Sequence, residues 1–288
     1  MSSPLKLHTI QDAKRFLTAQ FRGAGIESAD IDARLLLMHA TGLSRADLIA
    51  FDQNVLEPGT VITIQDLAAR RIGGEPVDHI LGRREFYGRE FKVTQDVLSP
   101  RPETEMLVEV ALDIIAFNPA AHILDLGTGS GAILISILAQ AEQASGTAID
   151  ISEAALEIAK ENAKTHHVDA RIEFRLGAWF EPVKARYDII ISNPPYITKP
   201  AMETLSSEVK NFDPYLALSG GDDGLKAYRE IISKAKNFLK PEGQVILEIG
   251  FDQRASVEGL LKEAGFSKVT TTKDLAGHDR MVCAVLVF

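Results

Sequence analysis

Along the first third of the chain, apolar residues recur at helical spacing. Thr9 precedes Ile10, Ala13, Phe16, Leu17 and Phe21, which fall on one helical face, and Gly23 and Gly25 follow them. Ser28 precedes a second series, Ile31, Leu35, Leu36 and Met38, closed by Gly42. Ser44 opens a short third segment, RADLIAF, and TVITIQDLAARRIGG predicts a further helix ending at Gly73 and Gly74. The pattern predicts a small helical bundle over residues 1–75. The stretch EFYGREFKVTQDVL, Glu85 to Leu98, then sets aromatic and β-branched residues around Gly88, which predicts a β-hairpin within a linker over residues 76–98.

A third region spans residues 99–288. In SPRPETE, Pro102 suits a first helical turn, Glu103 and Glu105 favour a helix N-terminus, and MLVEVALDIIAF continues the helix. From His122 the pattern becomes strand, glycine turn, helix. HILDLG, GTAID, RIEFRL, YDIIIS and QVILEIG read as strands; AILISILAQ, EAALEIAKENAKTHH and GLKAYREIISKAKNFL read as helices, with PEG as a turn into QVILEIG. Such alternation predicts an α/β domain with a mostly parallel sheet covered on both faces. KVTTTKD and RMVCAVLVF have no helix between them, so an antiparallel hairpin at the sheet edge is expected.

Two strand ends carry candidate chemistry. LDLGTGSGA sets Gly127, Gly129 and Gly131, with Thr128 and Ser130 between them, at the junction of a strand and a helix. Glycines there let the backbone approach a ligand and present N–H groups near a helix N-terminus. Asp150 ends the next strand, 23 residues after Gly127, where a carboxylate can accept both hydroxyls of an adenosine ribose. The G-x-G-x-G spacing is one residue shorter than the dinucleotide fingerprint, which favours S-adenosylmethionine over NAD. The second site is DIIISNPPYI, a buried strand that stops abruptly. Prolines cannot continue a central strand. Asn193 offers a side-chain oxygen and Pro194 a backbone carbonyl, two acceptors for a planar –NH2 group. Pro195 stiffens the turn, and Tyr196 offers a ring face for a planar or cationic group. Adenine, cytosine, guanine and a carboxamide all satisfy this socket.

Composition narrows the setting. Of 288 residues, 45% are hydrophobic and 25% charged, as in ordinary globular proteins, and no apolar run reaches the roughly 18 residues of a membrane span. The N-terminal MSSPLKLHTIQDAKRF lacks the apolar block of a signal peptide, and Cys283 is the one cysteine, so a cytoplasmic protein without a disulfide or cysteine-rich zinc site is expected. A net charge of −9 weighs against a large nucleic-acid footprint. No metal-ligand cluster stands out, and His166 and His167 read as capping or solvated residues at a helix end.

The chain resembles the HemK/PrmC family, protein-(glutamine-N5) methyltransferases acting on peptide chain release factors. The resemblance runs nearly the whole length, through GEPVDHILGRREFYG (Gly74 to Gly88), SPRPETE (Ser99 to Glu105), LDLGTGSGAI (Leu124 to Ile133), ISNPPYI (Ile191 to Ile197), FDPYLALSGGDDGLKAYREI (Phe212 to Ile231) and LEIG (Leu247 to Gly250). It implies a helical N-terminal domain, a hairpin linker and a class I, Rossmann-like S-adenosylmethionine-dependent methyltransferase domain. It implies that Gly127 to Gly131, Asp150, Trp179 and Asn193 line the cofactor site, and that Asn193, Pro194, Pro195 and Tyr196 hold the glutamine of a Gly-Gly-Gln loop. Arg101 and Glu103 match the PRPETE loop and are second-tier candidates. The family commonly has an acidic residue before the aromatic of GAWF, where Ala178 stands here, so adenine recognition is expected to rest on backbone atoms and stacking by Trp179. The helical domain is expected to dock the release factor. A nucleic-acid amino-methyltransferase, a non-catalytic cofactor-binding scaffold and an NAD-dependent oxidoreductase are the competing readings. The acidic charge, the intact NPPY beside the glycine loop, and the loop spacing count against them in turn.

Overall fold

The computed structural model describes residues 7–287, the side chain of Ser207 excepted. The chain divides into two compact units, Met1–Gly82 and Arg83–Phe288. The first holds α1 (Ile10–Gly23), α2 (Ala29–Thr41), α3 (Arg45–Ala50), α4 (Pro58–Ile72) and α5 (Val77–Leu81). Local chemistry sets several of their ends. Thr9 and Asp12 form a reciprocal capping box at α1, and Ser44 and Asp47 form another at α3. Ser28 precedes α2 without a side-chain cap, and Gly42 closes that helix at φ 70°. Leu17, Phe21, Leu36, Leu37 and Ile64 fill the core of this unit. Inside it, Arg71 Nε donates to Asp32 Oδ2 at 2.7 Å, both side chains being buried. α5 carries the unit to Gly82, past the boundary read near residue 75, because VDHIL is too short to display a helical period.

The second unit begins with the hairpin β1 (Arg83–Phe86) and β2 (Arg89–Lys92). Its turn residues Tyr87 and Gly88 both have positive φ, 50° and 69°, the geometry of a type I′ turn. Glu105 Oε1 accepts from the Tyr87 N–H at 2.8 Å, which holds the turn to the helix that follows. The chain then runs α6 (Glu105–Ile115), β3 (His122–Leu126), α7 (Ala132–Gln140), β4 (Ser145–Asp150), α8 (Glu153–Thr165), β5 (Ile172–Leu176) and β6 (Tyr187–Ser192). Three short helices follow, α9 (Lys199–Thr204), α10 (Ser207–Phe212) and α11 (Tyr215–Leu218), then α12 (Lys226–Phe238), β7 (Leu239–Glu248), α13 (Arg254–Glu263), β8 (Ser267–Lys273) and β9 (Asp279–Val285). His166 caps the end of α8, and its half-exposed ring also docks β2: it packs on Phe91 with centroids 4.9 Å apart, and its Nε2 lies 2.8 Å from the Glu90 carbonyl.

A seven-stranded sheet has the order β5-β4-β3-β6-β7-β9-β8. The first five strands pair in parallel, and β9 pairs antiparallel with both β7 and β8. Alternate side chains of one strand serve two cores. Ile189 and Ile191 join Leu107, Val108, Leu134 and Ile137 of α6 and α7. Ile190 joins Tyr228, Ile231 and Ile232 of α12 and Leu261 of α13. This is how a strand covered on both faces becomes a continuous apolar run. Pro241, Glu242 and Gly243 lie within β7 as a bulge. The pairing steps from Tyr187↔Leu239 to Ile189↔Gln244, and Glu242 takes φ 61°. Leu286, the residue after the antiparallel partner β9, pins that bulge by accepting from the Glu242 N–H at 3.0 Å, a long-range contact that a local reading of PEG as a turn does not contain.

Close approach of α7 to β4 depends on Gly146. A Cβ there would stand 2.6 Å from Leu134 Cδ1 and 3.1 Å from the Ile123 carbonyl. Gly146→Ala is therefore expected to destabilise the domain by about 1–3 kcal/mol through overpacking, read as a lower denaturant midpoint with an unchanged slope. An unchanged midpoint would mean that α7 shifts freely over the sheet.

Candidate active site

β3 has β4 on one side and β6 on the other, so the strand order reverses beside it. The carboxyl ends of these strands therefore open onto a crevice, the usual ligand position in such sheets. After Leu126 the backbone passes through Gly127, Gly129 and Gly131 at φ 73°, 55° and 82°, left-handed conformations that glycine adopts without strain. At Gly131 the space is also taken, since a Cβ would stand 2.7 Å from Ile135 Cδ1. The N–H groups of Gly127 and Thr128 both donate to the Ile149 carbonyl at 2.9 Å. Asn162 Nδ2 donates to the Ser130 carbonyl at 2.9 Å. Asp150 ends β4 against this loop. Its Oδ2 accepts from the Gly129 N–H and its Oδ1 from the Ser152 N–H, each at 2.9 Å. Burial raises the Asp150 pKa, and those backbone donors oppose the rise. Beneath the loop, Asp125 is fully buried. Thr128 Oγ1 donates to its Oδ2 at 2.7 Å, and its Oδ1 has no partner. Burial pushes this carboxyl up to about 7.

Trp179 reaches the same place from the segment after β5. Its backbone is left-handed at φ 49°, a conformation that costs a non-glycine residue about 1 kcal/mol or more. The ring lies across Gly127, whose missing Cβ would stand 3.9 Å from it. Packing of Phe180 on Phe238, stacked with centroids 4.7 Å apart, anchors the neighbouring residue. Ala178 leaves no carboxylate at its own position, and its N–H donates to Glu181 Oε2 at 3.2 Å.

The NPPY turn follows β6. Ser192 Oγ donates to the Leu126 carbonyl at 2.6 Å, which locks the end of β6 to the end of β3. Asn193 Nδ2 donates to Thr104 Oγ1 at 3.1 Å, and Thr104 Oγ1 donates to Glu248 Oε2 at 2.6 Å. Tyr196 OH donates to Glu248 Oε1 at 3.4 Å. Behind the turn, Gln253 Nε2 donates to the carbonyls of Tyr196 and Gly224 at 3.0 and 3.2 Å. The loop before α12 lies flat on this backbone. A Cβ at Gly220 would come within 2.8 Å of the Tyr196 carbonyl carbon, and one at Gly224 within 2.5 Å of the Tyr196 oxygen. Pro194 is buried, while Asn193, Pro195 and Tyr196 are half-buried. Burial raises the Glu248 carboxyl to about 7 and the Tyr196 phenol to about 12, with the Glu248 charge adding to the latter.

The structure thus gathers the expected residues into two groups on neighbouring strand ends. Gly127 to Gly131, Asp150 and Trp179 form one, and Asn193 to Tyr196 the other. Arg101 is exposed and pairs with Asp213 at 3.0 Å, and its charge acts on Tyr196. Glu103 acts electrostatically on Glu248. Thr104, Glu248, Gln253 and Tyr228, whose OH donates to the Glu248 carbonyl at 2.9 Å, are the residues that motif reading passed over. One signal was available: LEIG places an acid inside an apolar strand, where burial demands a partner.

Known proteins resemble this chain over most of its length. Residues 12–82 match the PrmC N-terminal domain and residues 117–269 a methyltransferase domain. A release factor glutamine methyltransferase of Cereibacter sphaeroides is 45% identical over 96% of this chain and 98% of its own length. One from Agrobacterium fabrum is 42% identical over 91% of this chain and 92% of its own length. The crystal structure of a methyltransferase from Pyrococcus furiosus, 16% identical, aligns with 78% of this chain and 100% of its own at a TM-score of 0.53, a likeness of fold.

The raised Asp125 pKa carries a stability consequence. The folded state holds this proton up to about pH 7, whereas the unfolded chain releases it near 3.8, the ordinary aspartate value. The stabilisation is complete below that lower value and is lost as pH rises to about 7. Relative to Asp125→Asn, the wild-type protein should lose stability between pH 5 and pH 7, on the order of a few kcal/mol, with no further loss above that range. Denaturant titrations of both proteins across this range test it; parallel pH profiles would show that Asp125 is ionised in the folded state throughout.

Proposed function

The chain belongs to the family of release factor glutamine methyltransferases, and we propose that it methylates the side-chain amide nitrogen of the glutamine in the Gly-Gly-Gln motif of peptide chain release factors. The observation that carries this reading is the NPPY turn held beside the glycine loop by the Ser192–Leu126 bond. The loop fits an adenosine-bearing group. Its glycines are left-handed, and a side chain at Gly127 would narrow the gap to the Trp179 ring. S-adenosylmethionine, bound there, supplies a methyl group on a positively charged sulfur and leaves as S-adenosyl-L-homocysteine.

The chain's own residues do the rest. Asp150 accepts the ribose hydroxyls with the lone pairs that Gly129 and Ser152 leave available, and Trp179 stacks on the adenine. Asn193 Oδ1 and the Pro194 carbonyl accept the two hydrogens of the substrate –NH2. Both bonds lie in the amide plane, so the face of the nitrogen stays open to the methyl group. A carboxamide nitrogen is a poor nucleophile, and holding it in a fixed place lowers the barrier; as its N–CH3 bond forms, the nitrogen releases one of its two protons. Pro194 and Pro195 hold the acceptors with little entropy left to lose. Tyr196 keeps its proton and packs its ring against the amide. The helical first unit serves as the docking surface for the release factor. No helix among the described residues is long and apolar enough to cross a membrane, and we place the reaction in the cytoplasm.

A base of DNA or RNA is the second reading, since an exocyclic amine fits the same acceptors. The net charge of −9 favours the protein substrate. With labelled S-adenosylmethionine, the enzyme should label an intact release factor and leave DNA and ribosomal RNA unlabelled. The label should vanish when the target glutamine becomes glutamate and should fall by about 100-fold or more in Asn193→Ala. Label in nucleic acid alone would sink the assignment.

The cofactor reading makes a separate prediction. Asp150→Ala removes a charged acceptor, and such a loss costs roughly 1.5–3 kcal/mol. Calorimetric titration should show S-adenosylmethionine binding weakened by that amount with the fold retained. Unchanged affinity would remove Asp150 from the site.

A further inference from the structure

We propose that Thr104, oriented by Glu248, determines which end of the Asn193 amide faces the substrate, and thereby makes the site select an amide over a carboxylate. The inference rests on the Asn193 role given above. An asparagine amide can turn over, exchanging an acceptor for a pair of donors in nearly the same volume. In the orientation with Oδ1 toward the substrate, Asn193 accepts from a glutamine –NH2. In the other, Nδ2 faces the substrate and suits a carboxylate or carbonyl oxygen. The turn backbone leaves the choice open, because the prolines fix the main chain and not χ2.

Proton counting along the buried chain settles the choice. Thr104 Oγ1 has one hydrogen and lies 2.6 Å from Glu248 Oε2 and 3.1 Å from the Asn193 amide. Thr104 and Glu248 are 4% and 2% exposed, so water does not compete for these bonds. Burial lifts the Glu248 carboxyl to about 7, and once ionised above that pH it accepts and cannot donate, so the threonine proton points at Glu248. The threonine oxygen can then only accept from Asn193, which must present Nδ2 inward and Oδ1 outward. Glu248 Oε1 meanwhile accepts from Tyr196, whose phenol keeps its proton, so the same carboxyl sets both polar members of the turn. Burial raises its pKa and Glu103, from the loop before α6, adds to the rise, while the Thr104 bond, Arg280 on β9 and the Tyr196 bond favour the ionised, accepting form. Tyr228 is bonded to the Glu248 main-chain carbonyl and not to its side chain. Thr104 and Glu248 are positioning residues, since neither bonds the substrate.

The test compares an intact release factor carrying the Gly-Gly-Gln motif with the same protein carrying glutamate, the first as substrate and the second as competitive inhibitor. Wild-type transfer to the glutamine protein reports on the functional reading; only the preference between the two proteins reports on the relay. Thr104→Val keeps shape and removes the hydroxyl. It should lower kcat/KM for glutamine by about tenfold and shift the glutamine-to-glutamate binding preference toward glutamate by about tenfold, the worth of one buried hydrogen bond. Thr104→Ser restores the hydroxyl and should stay within about threefold of wild type on both measures. Should Thr104→Val fail to fold, Glu248→Met removes the acceptor that directs the threonine proton, and the same loss of preference is expected. A variant that binds both proteins more weakly by an equal factor, or keeps the wild-type preference, would show that Thr104 only supports the turn.

Discussion

Everything at the site depends on β3 pairing in parallel with both β4 and β6. That pairing sets Leu124 opposite Thr147 on one side and Ile190 on the other, so three strand ends come level. The glycine loop leaves β3, Asp150 ends β4, and Asn193 follows β6. Residues far apart in the chain become neighbours because a register, once set by apolar packing on both faces, cannot slip by one residue without moving each core side chain into the opposite core. Ser192 then makes the last adjustment, closing the ends of β6 and β3 with a single buried bond.

Local patterns in the sequence state much of this. The helix starts at Thr9 and Ser44, the stop at Gly42, the turn at Gly88 and the alternation from His122 onward are consequences of neighbouring residues, and the structure keeps all of them. What escaped was long-range. The bulge at Glu242 exists because β9 pairs with β7. The helices α9 to α11 are too short for a period to show. α13 was passed over because its apolar stripe is brief, with Val257 and Leu261 as its buried residues. At the site, the motif residues Gly127 to Gly131, Asp150 and Asn193 to Tyr196 were legible because each has a chemical reason to occupy its place. Thr104 and Glu248 were not, since a threonine and an acid in separate motifs show no connection until the fold puts 2.6 Å between them.

The loop before α12 shows a different kind of illegibility. SGGDDG lies in the stretch Phe212 to Ile231 that carries the family resemblance, and its sequence shows no role for its glycines. In the fold, Gly220 and Gly224 are the two positions at which bare backbone lies on the NPPY turn, and Gln253 bonds both Gly224 and Tyr196 from the other side. The proline turn is thus rigid twice over, by its own rings and by packing against glycine backbone. Preorganisation of this kind keeps two acceptors in place when no substrate is present to hold them.

Such rigidity carries an electrostatic cost. Asp125 lies under the glycine loop and Glu248 under the amide socket, both fully or nearly fully buried, and burial lifts both carboxyls to about 7. An apolar residue in either place would relieve the desolvation, and a buried ionisable group of this type is weak evidence for stability. Their positions supply the reason for keeping them. Asp125 takes the Thr128 hydroxyl and so shapes the loop. Glu248 takes the hydroxyls of Thr104 and Tyr196 and so shapes the turn. Each fixes the direction of a hydroxyl, which an apolar side chain cannot do. The two halves of the site are therefore solved in the same way: a buried acid orients a threonine, and the threonine orients the backbone or amide that meets the ligand.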